Sequence, residues 1–251
     1  MNEMSQATQQ QLLALNRAFY ATVAEPFDAT RAGLPMGWQD LRRWLPPAPQ
    51  ERPLRVLDVG CGNGRWARAL AAWGLACTYT GVDGDAKLLA LAADNTRNLA
   101  PVDCVFQQAD FTVPGWSAAL QLSPASFDLV VCLAALHHAP GYRLRLQVVQ
   151  GLAALLAPQG VLIFSHWQFL QSERFVRKQI AWQTIGLTST DVEPGDALLP
   201  WQQGGYAVRY VHHLDEAEMA ALAQATGLQV RTTFYADGKE GNLNMYAVLG
   251  M

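Results

Sequence analysis

The residues best placed to do chemistry form one turn. Asp58 is followed by three alternate glycines in Val56-Leu57-Asp58-Val59-Gly60-Cys61-Gly62-Asn63-Gly64-Arg65-Trp66-Ala67. An apolar run that ends in such glycines and then turns helical reads as a strand, a tight turn and a helix start. Glycine tolerates positive φ and has no Cβ, so the backbone of Gly60, Cys61, Gly62 and Gly64 can approach a ligand closely, while the helix N-terminus presents unpaired N–H groups. The expected ligand is nucleotide-like. The G-x-G-x-G spacing departs from the G-x-G-x-x-G of dinucleotide folds, which disfavours a nicotinamide-dependent dehydrogenase. Asp83, in Gly81-Val82-Asp83, stands about twenty residues further on, where a carboxylate at a strand end accepts from both hydroxyls of a ribose. The alternative for Asp83 is a helix cap, since Asp83 and Asp85 both precede Ala86-Lys87-Leu88-Leu89.

These residues need a scaffold, and the chain has the material for one. Its 251 residues are 51% apolar and 16% charged, enough for one large core. From Arg55 onward, short apolar runs alternate with helical patterns, the mark of repeated βα units. Strands are expected at 55–59, 78–82, 103–107, 127–133 and 160–166, and helices near 64–73, 86–97, 143–156 and 171–184. An amphipathic helix is expected around Leu12 to Ala24, within an N-terminal helical segment 1–50 that ends in Pro46-Pro47-Ala48-Pro49. Residues 186–213 show no clear period and read as an insertion into the main unit, 51–251. Asp215-Glu216-Ala217-Glu218 reads as a capping box opening a helix that closes at Gly227. The runs 229–235 and 243–249, joined by a loop with two glycines, read as an antiparallel hairpin. Cys61, Cys77, Cys104 and Cys132 have no metal-ligand spacing and read as reduced thiols, and no metal is expected. The N-terminus lacks a basic region and no run approaches about 18 apolar residues, so a soluble, cytoplasmic protein is expected.

Asp58 with the three glycines resembles motif I of the class I S-adenosylmethionine-dependent methyltransferases. The C-terminal hairpin after a parallel sheet resembles that fold too. The resemblance implies a Rossmann-like α/β fold, a mostly parallel seven-stranded sheet ending in an antiparallel hairpin with helices on both faces, and S-adenosyl-L-methionine as cofactor. It further implies that Asp110 and Phe111, after the third strand, hold the adenine; the alternative is a solvated acid beside a core phenylalanine. Leu133, at the end of the fourth strand, and Ala134-Ala135-Leu136-His137-His138 would then face the transferred methyl. His137 is a candidate base, or it simply lines the pocket.

Two further segments are more discriminating. Asn16-Arg17-Ala18-Phe19-Tyr20-Ala21-Thr22-Val23-Ala24-Glu25-Pro26-Phe27-Asp28-Ala29-Thr30-Arg31 resembles the Y-x-x-x-A-x-x-F-x-x-T-R segment of the tRNA wobble-uridine carboxymethyl methyltransferases, and Arg209-Tyr210-Val211-His212-His213-Leu214-Asp215-Glu216-Ala217-Glu218 resembles their R-Y-x-H segment leading into an acidic helix. The resemblance implies a carboxylate acceptor on tRNA, clamped by Arg209 with Tyr210 and His212 beside it, and Tyr20 and Arg31 closing over cofactor or substrate. In eukaryotic relatives it also implies a small zinc-binding activator protein. A net charge of −3 suits a tRNA enzyme poorly, because phosphate contacts supply most nonspecific affinity. Arg42, Arg43, Arg143, Arg145, Arg174, Arg177 and Lys178 are the candidate compensation. A small carboxylic acid is the alternative acceptor, and a non-catalytic binding module the alternative class.

Overall fold

A computed structural model describes residues 3–30 and 33–251; Arg31 lies outside them. The elements in chain order are α1 (Gln6–Ala29), α2 (Gly37–Leu41), β1 (Leu54–Val59), α3 (Arg65–Ala72), β2 (Cys77–Asp83), α4 (Ala86–Asn95), β3 (Val102–Gln108), α5 (Trp116–Ala119), β4 (Phe127–Leu133), α6 (Tyr142–Leu155), β5 (Leu156–Trp167), α7 (Glu173–Val176), β6 (Asp196–Trp201), β7 (Ala207–His212), α8 (Glu216–Gln224), β8 (Gln229–Ala236) and β9 (Asn244–Gly250).

Seven strands form one sheet in the order β3-β2-β1-β4-β5-β9-β8. The first five pair in parallel, and β9 enters antiparallel between β5 and β8. Side chains alternate across a strand, so each face of β1 fills a different core. Leu57 and Val59 pack towards α6 and α8, whereas Leu54 and Val56 pack with Trp38, Trp66 and Leu70. The strand order reverses between β1 and β4, the switch point outside whose carboxyl ends open α/β sheets bind ligands. The glycine turn follows β1 at that point.

One helix expectation fails, and the segment after it is more regular than its sequence implies. The helix expected over 171–184 is only α7, because Ile180 is drawn into a β-bridge with Leu198 and donates its N–H to that carbonyl at 2.9 Å. The aperiodic stretch 186–213 contains a second, two-stranded sheet, β6 paired antiparallel with β7. Its period is hidden because both faces are buried. Ala197, Leu199 and Val211 pack against Phe169, with Trp167 and Phe175 alongside, while Leu198 and Tyr210 pack against Met4, Leu12 and Leu187. The helix α1 lies along β7, and its Asn16 ties down one residue of that strand: Asn16 Oδ1 accepts from the Tyr210 N–H at 2.8 Å and Asn16 Nδ2 donates to the Tyr210 carbonyl at 3.1 Å.

Asp215 caps α8, accepting from the Glu218 N–H at 2.9 Å. The capping box does not close, because the Glu218 carboxylate turns instead to Arg145 and His212. The four cysteines are free thiols. Among the described residues no helix is long and apolar enough to cross a membrane.

Candidate active site

The carboxyl ends of β1, β2 and β4, together with α1 and the β6–β7 hairpin, enclose a cavity of about 1090 Å³. That exceeds the upper end of ordinary single-ligand pockets, about 1,000 Å³. The space suits two ligands side by side. Asp58, Gly60, Cys61, Gly62, Asp83, Asp110, Phe111, Leu133, Tyr20, His137 and Arg209 all line it.

On one side stands the glycine turn. Gly60, Gly62 and Gly64 have φ of 75°, 53° and 72°. A Cβ on Gly60 would sit 2.4 Å from that of Ala135, so only glycine lets the two strand ends meet there. Gly64 is the left-handed residue preceding α3; its neighbours are Ala92 and Thr96 of the α4 region, and it is not among the residues lining the cavity. Asp58 is buried and accepts from the Tyr79 hydroxyl at 2.5 Å. Burial pushes its carboxyl up to about 7, with Tyr79 opposing and the charge of Asp83 adding.

Asp83 is not the cap of α4. Asp85 takes that role, accepting from the Lys87 and Leu88 N–H groups at 2.9 Å each. Asp83 instead accepts from Gly62 and Asp85 N–H groups, each at 2.9 Å, which aims its carboxylate at the turn. Burial raises its pKa and these backbone hydrogen bonds resist the rise. Asp110 accepts from Thr112 through Oδ1 and from Arg17 through Oδ2 at 3.1 Å. Arg17 lines the cavity as well and has no signal in the glycine motifs.

The opposite side is built from the hairpin. The Arg209 guanidinium lies over Trp167 at 4.6 Å, Phe19 at 5.2 Å and Trp201 at 5.9 Å, a cage that excludes water from a fixed cation. Tyr20 meets His138, its hydroxyl 2.8 Å from Nε2, while His138 Nδ1 lies 3.0 Å from the Tyr210 carbonyl. A carbonyl only accepts, so His138 carries its proton on Nδ1 and Tyr20 donates to Nε2. Burial, then the charge of Arg209, drives His138 down to about 3. Burial likewise holds His137 well below the usual histidine value, with the charges of His138, His166 and Arg209 adding. Both rings are neutral.

Tyr210 and His212 do not join Arg209 at the cavity. Strand residues alternate, so when Arg209 faces Trp167 its neighbours at 210 and 212 face the other way. The buried Tyr210 hydroxyl donates to Asp196 at 2.7 Å. His212 sits between Asp196 at 2.6 Å and Glu218 at 2.8 Å, and Glu218 also pairs with the buried Arg145 at 2.7 Å. The expected catalytic roles of Tyr210 and His212 are therefore corrected to a buried polar anchor for the hairpin. Glu193, Asp196 and His212 lie close enough to hold a metal ion, yet Arg145 already occupies Glu193 at 2.7 Å as the counter-charge. Sequence reasoning gave no role to Asn16 and Arg17, which open the segment resembling the wobble-uridine enzymes, and missed Trp201, which lies in an aperiodic stretch without a motif. Ala134, in the segment expected to face the transferred methyl, lines the cavity as a non-glycine residue at φ 55°, its N–H donating to Ser165 Oγ at 2.9 Å.

A seven-stranded sheet in this order, with a glycine turn and two acids at its switch point, defines a Rossmann-like methyltransferase fold. Residues 31–233 match the family model described as methyltransferase domain, and the chain belongs to that family, the class I S-adenosylmethionine-dependent methyltransferases. Its cofactor is S-adenosylmethionine. The chain is 34% identical over 142 residues to a ubiquinone biosynthesis O-methyltransferase of Paracidovorax citrulli, a match covering 51% of this chain and 56% of that one. It thus spans about half the length of the curated relatives it matches. Among solved structures, it resembles a methyltransferase of Methanosarcina mazei at a TM-score of 0.61, 19% identical over 79% of this chain and 92% of that one. A Haloferax volcanii methyltransferase solved with the Trm112 methyltransferase activator gives 0.60, 17% identical over 93% of this chain and 96% of that one. At such identities the likeness is one of fold.

Proposed function

We propose that this methyltransferase esterifies a carboxylate oxygen of an acceptor held at Arg209. The observation that carries the reading is the cation itself, 9% exposed and caged by three aromatic rings on the side of the cavity opposite the glycine turn. S-adenosylmethionine supplies a methyl group activated by its sulfonium charge. Asp83 is placed to accept from the ribose hydroxyls, Asp110 and Phe111 to meet the adenine, and Asp58 and Leu133 to border the methionine end. Gly60, Cys61 and Gly62 give that ligand a wall without side-chain obstruction.

An ionised carboxylate loses no proton on methylation, so the chain has only to hold it in line and dry. Arg209 does so through two parallel hydrogen bonds of its planar fork. His137 and His138, neutral by burial, add no competing charge beside it. The O-methyltransferase names of the relatives support an oxygen acceptor. Replacing Arg209 by Gln is expected to cut kcat/KM by about a hundredfold or more, as loss of a charged hydrogen-bond pair implies, while leaving S-adenosylhomocysteine affinity within about twofold by calorimetry. Base-stable label on the product, or unchanged kinetics in the variant, overturns the reading.

The carboxymethyl group of a tRNA wobble uridine offers the same carboxylate, and the R-Y-x-H segment favours it. The surface does not. Of the cations suggested for phosphate contact, Arg43, Arg143, Arg145 and Arg177 are paired with Asp40, Glu3, Glu193 and Glu173. A small-molecule acid is therefore the favoured acceptor, and base-labile labelling of tRNA bearing carboxymethyluridine decides between them. Running that assay with the purified chain alone also tests the need for a zinc-binding activator.

A further inference from the structure

Charge is unevenly distributed inside the cavity. Among the described residues, the acids that line it are Asp58, Asp83, Asp85 and Asp110 beside the glycine turn, where Arg17 and Arg65 also line it and Arg17 pairs with Asp110, and Asp237, which is engaged by Gly37, Asn244 and Tyr246. The wall built by the α7 region and the β6–β7 hairpin contributes no lining acid. It carries three cations instead: Arg209 at depth, and Arg174 and Lys178 at the mouth. In a chain of net charge −3 this sorting is not a general surplus of positive charge.

The mouth is continuous with the clamp. Trp167, stacked on Arg209 at 4.6 Å, meets the edge of Phe175 at 4.6 Å, and the Arg174 guanidinium lies over that same Phe175 ring at 5.4 Å. Cation, ring, ring and cation thus run from the buried clamp to the exposed rim. Glu173, the one acid of α7, is turned to Arg177. Among the described residues no carboxylate pairs with Arg174 or Lys178, in contrast to Arg43, Arg143, Arg145 and Arg177.

We propose that Arg174 and Lys178 form a second anion subsite, so that the acceptor carries a carboxylate at one end and a phosphate group at the other. The inference rests on the carboxylate clamp at Arg209 and extends it by naming the acceptor class, a phosphorylated acid with an apolar or aromatic middle that lies along Trp167 and Phe175. The rim cations are exposed, so each pair contributes modestly and is weakened by salt.

The test is calorimetry on the full chain saturated with S-adenosylhomocysteine. The probes are phenylacetates bearing a para-alkyl phosphate arm of graded length, each compared with the corresponding alcohol. At the arm length that spans the chamber, the phosphate is expected to bind about tenfold tighter than the alcohol, the worth of two exposed pairs. That gain disappears in the Arg174→Gln/Lys178→Gln double variant, whereas the alcohols bind wild type and variant alike. Equal binding of phosphate and alcohol at every length, or a gain that survives the double substitution, overturns the subsite. Alcohols that bind without regard to Arg209→Gln overturn the clamp instead, and the subsite's premise with it. Displacement of the phosphate arm by an oligoribonucleotide where inorganic phosphate fails assigns the second anion to a nucleic-acid backbone. Displacement by inorganic phosphate alone assigns it to a small phosphorylated acid.

Discussion

Asp58 and Asp83 are carboxyl groups whose pKa burial raises. Burial raises the Asp58 carboxyl from 3.8 to about 7. The folded chain therefore keeps a proton that the unfolded chain has released, and stability falls as pH rises from about 4 to about 7, then levels. The integrated cost is on the order of 4 kcal/mol. Asp58→Asn retains an oxygen for Tyr79, so denaturation of the variant should lack this slope and show higher stability than wild type near pH 8. Parallel curves for the two proteins would refute the assignment. Asp83→Ala should weaken S-adenosylhomocysteine by about 1–3 kcal/mol in calorimetry through loss of charged hydrogen bonds; unchanged affinity removes Asp83 from the ribose. The pair was legible because motif spacing places both acids at strand ends. That Asp85 caps α4 and leaves Asp83 for the turn was not, since both stand before the same helix.

At the scale of elements, the β6–β7 hairpin decides where the clamp stands. One face presents Arg209 to Trp167, and the other buries Tyr210 and His212 against Asp196, Glu218 and Arg145. Burial lowers the His212 pKa, but hydrogen bonds to Asp196 and Glu218 outweigh it and set the folded value above the ordinary 6.5. A raised histidine contributes stability that is fully present below 6.5 and is lost as pH rises through the folded value. Amide exchange in β6 and β7 should accordingly quicken relative to β1 and β4 as pH passes that value, after correction for the intrinsic base-catalysed rate. Equal protection of both sheets throughout would show that His212 does not latch the hairpin. The helix α1 holds the other side, with Asn16 on the Tyr210 backbone and Tyr20 on His138. None of this was visible in the sequence. Asp196–Trp201 contains a proline and is buried on both faces, so it lacks the alternation that marks a strand.

For the whole molecule, the two halves of the cavity are contributed by different parts of the chain, and a ligand between them should tie them together. At a hundredfold excess over its dissociation constant, a ligand stabilises by about 2.7 kcal/mol. For a chain of this size that corresponds to a rise in melting temperature of roughly 5–10 °C. S-adenosylhomocysteine should produce that shift in thermal unfolding, and its absence would contradict cofactor binding by this chain. The sequence by itself determined the sheet, the glycine turn and the acids at the strand ends. Local periodicity and motif spacing encode which residues alternate, turn and cap, and these features depend on near neighbours. Only the tertiary structure decided which of Arg209, Tyr210 and His212 reaches the cavity, which cations are spent on carboxylates, and what surrounds the clamp. Those outcomes depend on which face of a doubly buried strand meets which distant element, and pairing between remote segments leaves no periodic trace in either one.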